Sequence, residues 1–133
     1  MISLVKHVLR VANSIVRERI KGATRSPKWS KVRKAVIKAH PYCSVCKSTT
    51  LLQVHHLIPF HLRPELELDT KNLIVLCMGL NECHLLLGHG NNFKKYNPYI
   101  AADALNVAAG TISLTEAAKT AKKNAIYLPV NIS

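Results

Sequence analysis

The sequence predicts an α+β fold: a strand–loop–strand–helix core, tied by two pairs of cysteines and flanked by N- and C-terminal helices. Three observations predict it. Apolar residues recur at helical spacing towards both ends of the 133-residue chain, two short β-like runs occupy its middle, and four cysteines bracket those runs. The length suits one domain, 1–133, with nearly half its residues apolar. Aromatic content is only 5%, so Leu, Ile, Val and Cys must supply the packing. A core this thin gains from a structural metal.

The N-terminal section, 1–25, reads as a basic amphipathic helix over 2–21. Val5, Val8, Leu9, Ala12, Ile15, Val16 and Ile20 form its apolar stripe, and Gly22 suits its C-terminus. Ser26-Pro27 is an N-cap followed by proline at the first helical position. A second helix runs from there to about His40, with Trp29, Val32, Val36 and Ile37 inward and Lys28, Lys31, Lys34 and Lys38 outward. Pro41 stops it. Strands are expected over 51–58 and 72–77, joined by a long connection, 59–71, with two prolines that mark a functional loop. A short helix from near Asn81 to Gly88 closes the core section, 26–99. In the C-terminal extension, 100–133, helices are expected over 100–108 and from the capping box Ser113-x-x-Glu116 to about Ala125. Residues 126–132 then form an edge strand limited by Pro129.

Charge is lopsided. Net charge is +12, and residues 1–47 hold twelve Lys or Arg against the single acid Glu18. Such a field attracts polyanions, nucleic acid before an anionic membrane. No stretch reaches the ~20 apolar residues of a membrane span. The apolar N-terminus is broken by Lys6, His7, Arg10 and Asn13, unlike a signal peptide. An intracellular, cytoplasmic protein is therefore expected, in which cysteines serve as thiolate ligands rather than disulfides.

Cys43 and Cys46 form a CxxC knuckle, a spacing that lets two thiolates of one tight turn reach the same tetrahedral ion. Cys77 ends the second strand and Cys83 heads the short helix, so one structural zinc would tie the knuckle to the strand–helix junction. The alternative is four buried free cysteines, and the paired spacing favours zinc. His55 and His56 are adjacent on a strand, so their side chains point to opposite faces and divide two tasks. His84 and His89 follow from the short helix. Four histidines within 55–89 point to a metal or catalytic site.

Taken together, Cys43-x-x-Cys46, Val54-His55-His56-Leu57-Ile58-Pro59, Asn72-Leu73-Ile74-Val75-Leu76-Cys77 and Cys83-His84 resemble the zinc-containing HNH endonucleases, the ββα-metal nucleases often encoded by phages. The helix opening at Ser26-Pro27-x-Trp29 and the trailing Gly88-His89 and Asn97-Pro98 extend the resemblance over roughly 26–99. It implies a ββα-metal core in which His55 and His84 bind a catalytic divalent cation and His56 is the general base. It also implies that Asn72 ties down the loop and orients that base. Some relatives add a histidine one helical turn later, which makes His89, at offset five with Gly88 between, the candidate third ligand. A histidine-rich site favours Mn²⁺, Ni²⁺, Co²⁺ or Zn²⁺ over Mg²⁺, although HNH enzymes are often supported by Mg²⁺ as well.

The implied activity is hydrolysis of DNA phosphodiesters, by nicking or by cutting both strands. The competing readings are a non-catalytic zinc module that binds nucleic acid and a nuclease directed at RNA. Arg25, Lys28, Lys31, Arg63, Lys94 and Lys95 are the candidate phosphate contacts. The apolar stripe of 2–21 can dock a second copy or a partner protein as readily as its own core. His61 is equally compatible with a phosphate contact and with simple exposure. Glu65, Glu67 and Asp69 alternate as on a solvated face, and Trp29 reads as core rather than as a base-stacking platform.

Overall fold

The computed structural model describes residues 24–128, so the helix expected over 2–21 and the end of the strand expected over 126–132 lie outside the described residues. Helix α1, Trp29–Ala39, leads to strand β1, Leu52–His56, then to single 3₁₀ turns at Pro64–Leu66 and Thr70–Asn72. Strand β2, Leu73–Cys77, and a five-residue π-helical turn, His84–Gly88, complete the ββα centre of an α+β fold. Strand β3, Lys95–Tyr96, helices α2, Ile100–Ala108, and α3, Leu114–Asn124, and strand β4, Ile126–Tyr127, follow.

Helix α1 presents the expected stripe: Trp29, Val32, Val36 and Ile37 are half-buried, while Lys28, Lys31, Lys34 and Lys38 are exposed. Its start differs from expectation. Lys28, not Ser26, occupies the cap position, without a side-chain cap. The Ser26 N–H is instead drawn to the Glu67 carboxylate at 2.9 Å. That tertiary bond places Ser26 in a preceding turn, where its carbonyl accepts from Trp29 N–H at 3.0 Å.

Strands β1 and β2 pair antiparallel, with Val54 opposite Val75 and His55 opposite Ile74. Both strands are shorter than the expected 51–58 and 72–77. Leu51 turns to a left-handed φ of 50°, and beyond His56 the chain bends into the loop that Asn72 holds. Period-two alternation puts Gln53 and His55 on one face and Val54 and His56 on the other.

Leu76, Leu87, Cys43, Cys77 and Cys83 are fully buried in one cluster with Ile100, Ala104 and Ala117. Burying each leucine contributes about 1.5–3 kcal/mol, and the alanines of α2 and α3 let both helices approach the π-helical turn closely. Ser113 caps α3 as its pattern predicts, its hydroxyl accepting from Glu116 N–H at 3.1 Å. Asn97, also fully buried, donates to the Leu87 carbonyl at 2.9 Å and to Asp103 Oδ2 at 2.7 Å. It thereby satisfies a carbonyl that the end of the turn leaves without a helical partner. Strand β4 pairs with β3, Lys95 opposite Tyr127. Among the described residues, no helix is long and apolar enough to cross a membrane.

Candidate functional site

Cys43, Cys46, Cys77 and Cys83 converge, their sulfurs all within 4.8 Å of one another, and none forms a disulfide. The Cys46 and Cys77 sulfurs lie 3.6 Å apart, close to the ~3.8 Å expected of two thiolates at ~2.3 Å on a tetrahedral zinc ion. The Cys83 thiol and backbone N–H groups of Cys46, Val45 and Cys77 hydrogen-bond to Cys43, and against the effect of burial they hold its thiol down at about 4. The same bond to Cys43, together with burial, pushes the Cys83 thiol up. Without a cation, four converging sulfurs can share only limited negative charge. A divalent ion removes that repulsion and deprotonates them all. The donor set fits a structural metal.

His55, His84 and His89 form a second cluster, each offering a nitrogen within 4.8 Å of the others. His84 Nδ1 donates to Gln53 Oε1 at 2.6 Å, and His89 Nδ1 donates to the Lys95 carbonyl at 2.7 Å. Those oxygens can only accept, so in the neutral rings both Nε2 atoms carry lone pairs. They nevertheless face each other at 3.2 Å, a separation that two lone pairs tolerate only around a proton or a cation. Two nitrogens on a tetrahedral ion at ~2.05 Å would sit about 3.3 Å apart. His55 Nε2 is buried with no hydrogen-bond partner, an orphaned polar atom that a bound metal would satisfy. Burial pushes all three rings down, His55 well below the ordinary range and His84 to about 4, which keeps them neutral near pH 7, the form able to ligate a metal.

The π-helical turn explains how an offset of five brings His84 and His89 together. In an α-helix, residues five apart point about 140° from each other at ~100° per residue. A π-helical turn closes i→i+5 and returns the chain to the same side. Gly88 lies inside this arrangement for space rather than as a left-handed terminator. A Cβ there would meet His55 Cε1 at 3.2 Å, and His55 Nδ1 and His84 Cδ2 at 3.3 Å. Gly88→Ala is expected to spread the two rings and weaken divalent-metal affinity roughly tenfold, in the range seen when support of a metal ligand is lost. Co²⁺ titration followed by its visible absorption reads this directly, and unchanged affinity would show that the rings yield freely.

His56 faces away from that cluster along the strand and is 9% exposed. Its ring stacks on Trp29 with centroids 4.7 Å apart, and its Nε2 donates to the Glu67 carbonyl at 3.0 Å. The carbonyl fixes the tautomer, leaving Nδ1 with the free lone pair. Burial lowers the His56 pKa; the bond to Glu67 offsets part of this, and the Arg25 charge adds to it. Trp29 is thus half-buried packing that also sets the plane of the His56 ring.

Asn72 is buried, and its side chain brackets Ile58, accepting from Ile58 N–H at 2.8 Å and donating to the Ile58 carbonyl at 3.1 Å. It also donates to the Leu66 carbonyl at 3.4 Å, one residue before Glu67. The asparagine therefore joins the exit of β1 to the loop that carries the carbonyl on His56.

Glu67 corrects the expectation of a solvated acidic face. It is 4% exposed, with Oε1 accepting from Ser26 N–H and Oε2 paired with Arg25 at 3.2 Å. Arg25 in turn lies 4.3 Å above the Phe60 ring. Glu65 and Asp69, by contrast, are exposed. Sequence reasoning missed Glu67, Gln53 and Gly88. Gln53 carried a signal, lying two residues from His55 on the same strand face; for Glu67 the alternating acids masked it.

His55, His56, His84 and His89 open on a common cleft of about 240 Å³ that Arg25, His61, Phe93 and Lys95 also line. His61 is half-buried, with Nδ1 lacking a hydrogen-bond partner. Of the candidate phosphate contacts, Arg25 and Lys95 border the cleft, whereas Lys28, Lys31, Arg63 and Lys94 are exposed away from its lining. Arg63 pairs with Glu65.

Residues 43–90 match the family model of the HNH endonuclease, and both ligand clusters, His56 and Asn72 all fall within that span. This stretch is an HNH domain, a nuclease-type domain with a metal site, of a family that usually acts on nucleic acid. No curated protein and no solved structure matched the chain.

Proposed function

We propose that the protein is a metal-dependent endonuclease that hydrolyses DNA phosphodiester bonds. The observation that carries this reading is the three-histidine cluster beside a fourth, oriented histidine on one cleft. His55, His84 and His89 would hold the catalytic cation, and the four cysteines a structural zinc. When bound, a divalent cation supplies Lewis-acid stabilisation of the charge that builds on the phosphate and the leaving 3′-oxygen.

His56 Nδ1 takes a proton from the attacking water as its oxygen bonds to phosphorus and the bond to the 3′-oxygen breaks. The Glu67 carbonyl stabilises the imidazolium that forms, and Trp29 keeps the ring aimed. Arg25 and Lys95 supply positive charge at the cleft walls for the flanking phosphates. A binding module would have no use for a tautomer-fixed imidazole beside a metal cluster, which favours the enzyme.

Incubating supercoiled plasmid with the full chain and Mg²⁺, Mn²⁺ or Ni²⁺ tests the reading, alongside zinc quantification. Nicked or linear product with at least one metal, suppressed by chelator, is the expected result. Intact plasmid under all three, with clear band shifts, would identify a binding module; faster loss of structured RNA would redirect the substrate.

A further inference from the structure

Phe93 stands at the lip of the cleft, three positions past the matched segment, and 54% of its surface is exposed. Its ring centroid is 4.9 Å from that of His89 and 6.0 Å from that of His84, so it borders the metal cluster directly. On the same cleft, Lys95 places its Nζ 4.5 Å above the ring of Tyr127, itself 63% exposed. The β3–β4 pairing holds Lys95 opposite Tyr127, and the Lys95 carbonyl is the group that anchors His89. Lys94, alongside, is exposed. Exposed aromatic faces interleaved with lysines are the composition that receives unpaired nucleotides, because stacking takes the base while the cations follow the phosphates.

A base within a duplex already has both faces covered by its neighbours, so only an unstacked base can offer one to Phe93. The ring's contact with a metal histidine puts such a base next to the phosphate undergoing cleavage. We propose that Phe93 is a specificity-determining residue that stacks on an unpaired base adjoining the scissile phosphate. The preferred substrate is then DNA that is single-stranded or locally unpaired at the cut. This inference rests on the endonuclease reading above. The competing role for Phe93 is to shield the metal histidines from water, which needs only an apolar side chain and no π face.

The test uses the full chain with Mn²⁺ and three oligonucleotides of one sequence: fully paired, mismatched at the cut, and single-stranded. Unpaired substrates are expected to be cut about tenfold faster or more. Phe93→Leu keeps the apolar cover and should erase that preference, whereas Phe93→Tyr should retain it, with metal affinity unchanged in both. Binding is read separately on the His56→Ala background with single strands containing 2-aminopurine. Their fluorescence should change on binding when Phe93 is present and not when it is leucine. Equal rates on paired and unpaired DNA, or a preference that survives Phe93→Leu, would overturn the inference. Shifted but uncut DNA throughout would sink the endonuclease reading alone, since the fluorescence comparison still decides whether Phe93 stacks.

Discussion

His56→Ala is expected to lower cleavage by about two orders of magnitude or more while nucleic-acid binding persists. The ring is held from three sides. Trp29 stacks on it, the Glu67 carbonyl fixes its proton on Nε2, and burial keeps it neutral. Each of these prepares Nδ1 to accept a proton, and none places His56 in contact with the bulk of a bound nucleic acid. At 9% exposure the side chain offers little binding surface, so gel-shift affinity should barely move. The measurement is initial cleavage rate at saturating substrate, with binding determined on the same preparation. Turnover equal to that of the unaltered protein would remove His56 from the mechanism and leave the proton to another group.

The second large effect is structural. Cys43→Ser is expected to give a misfolded or insoluble chain with little bound zinc. Cys43 is fully buried at the centre of the core, where its backbone N–H also closes the knuckle onto the Ser48 carbonyl at 2.8 Å. Lys47 and Glu82, the residues directly after Cys46 and directly before Cys83, adopt left-handed φ of 66° and 46°. Each such non-glycine conformation costs on the order of 1 kcal/mol and persists where surrounding contacts enforce it. Structural zinc contributes roughly 10–16 kcal/mol on binding, comparable to the whole ~5–15 kcal/mol net stability of a domain. A serine hydroxyl does not ionise in its place. Circular dichroism and zinc content read the outcome, and prolonged chelation of the unaltered protein should mimic it. A soluble, zinc-free and fully active variant would contradict a structural role for the site.

Much of the architecture was legible because periodicity and end signals are local. The stripe of α1, the two apolar runs of β1 and β2, and the Ser113 cap each depend on neighbours within a few residues. The four cysteines were legible through paired spacing. Strand β3 was not, because a two-residue ladder has no period to read and exists only through its partner β4. The start of α1 was misplaced for a related reason: Ser26 suits a cap, but its N–H is bound to a carboxylate 41 residues away, and its hydroxyl accepts from Lys28 N–H in a turn that precedes the helix.

What the sequence determined by itself was the set of groups: two cysteine pairs, four histidines, an asparagine, and an excess of positive charge in the first third of the chain. Tertiary structure alone decided how they act. A π-helical turn brought His84 and His89 together at an offset of five, Gly88 left room for the His55 and His84 rings, and Glu67 moved from an apparent surface acid to the buried anchor beside His56. The physical reason is range. Residue type and spacing report on interactions within one or two turns of chain, whereas tautomer, burial and ligand convergence depend on groups brought together from distant positions.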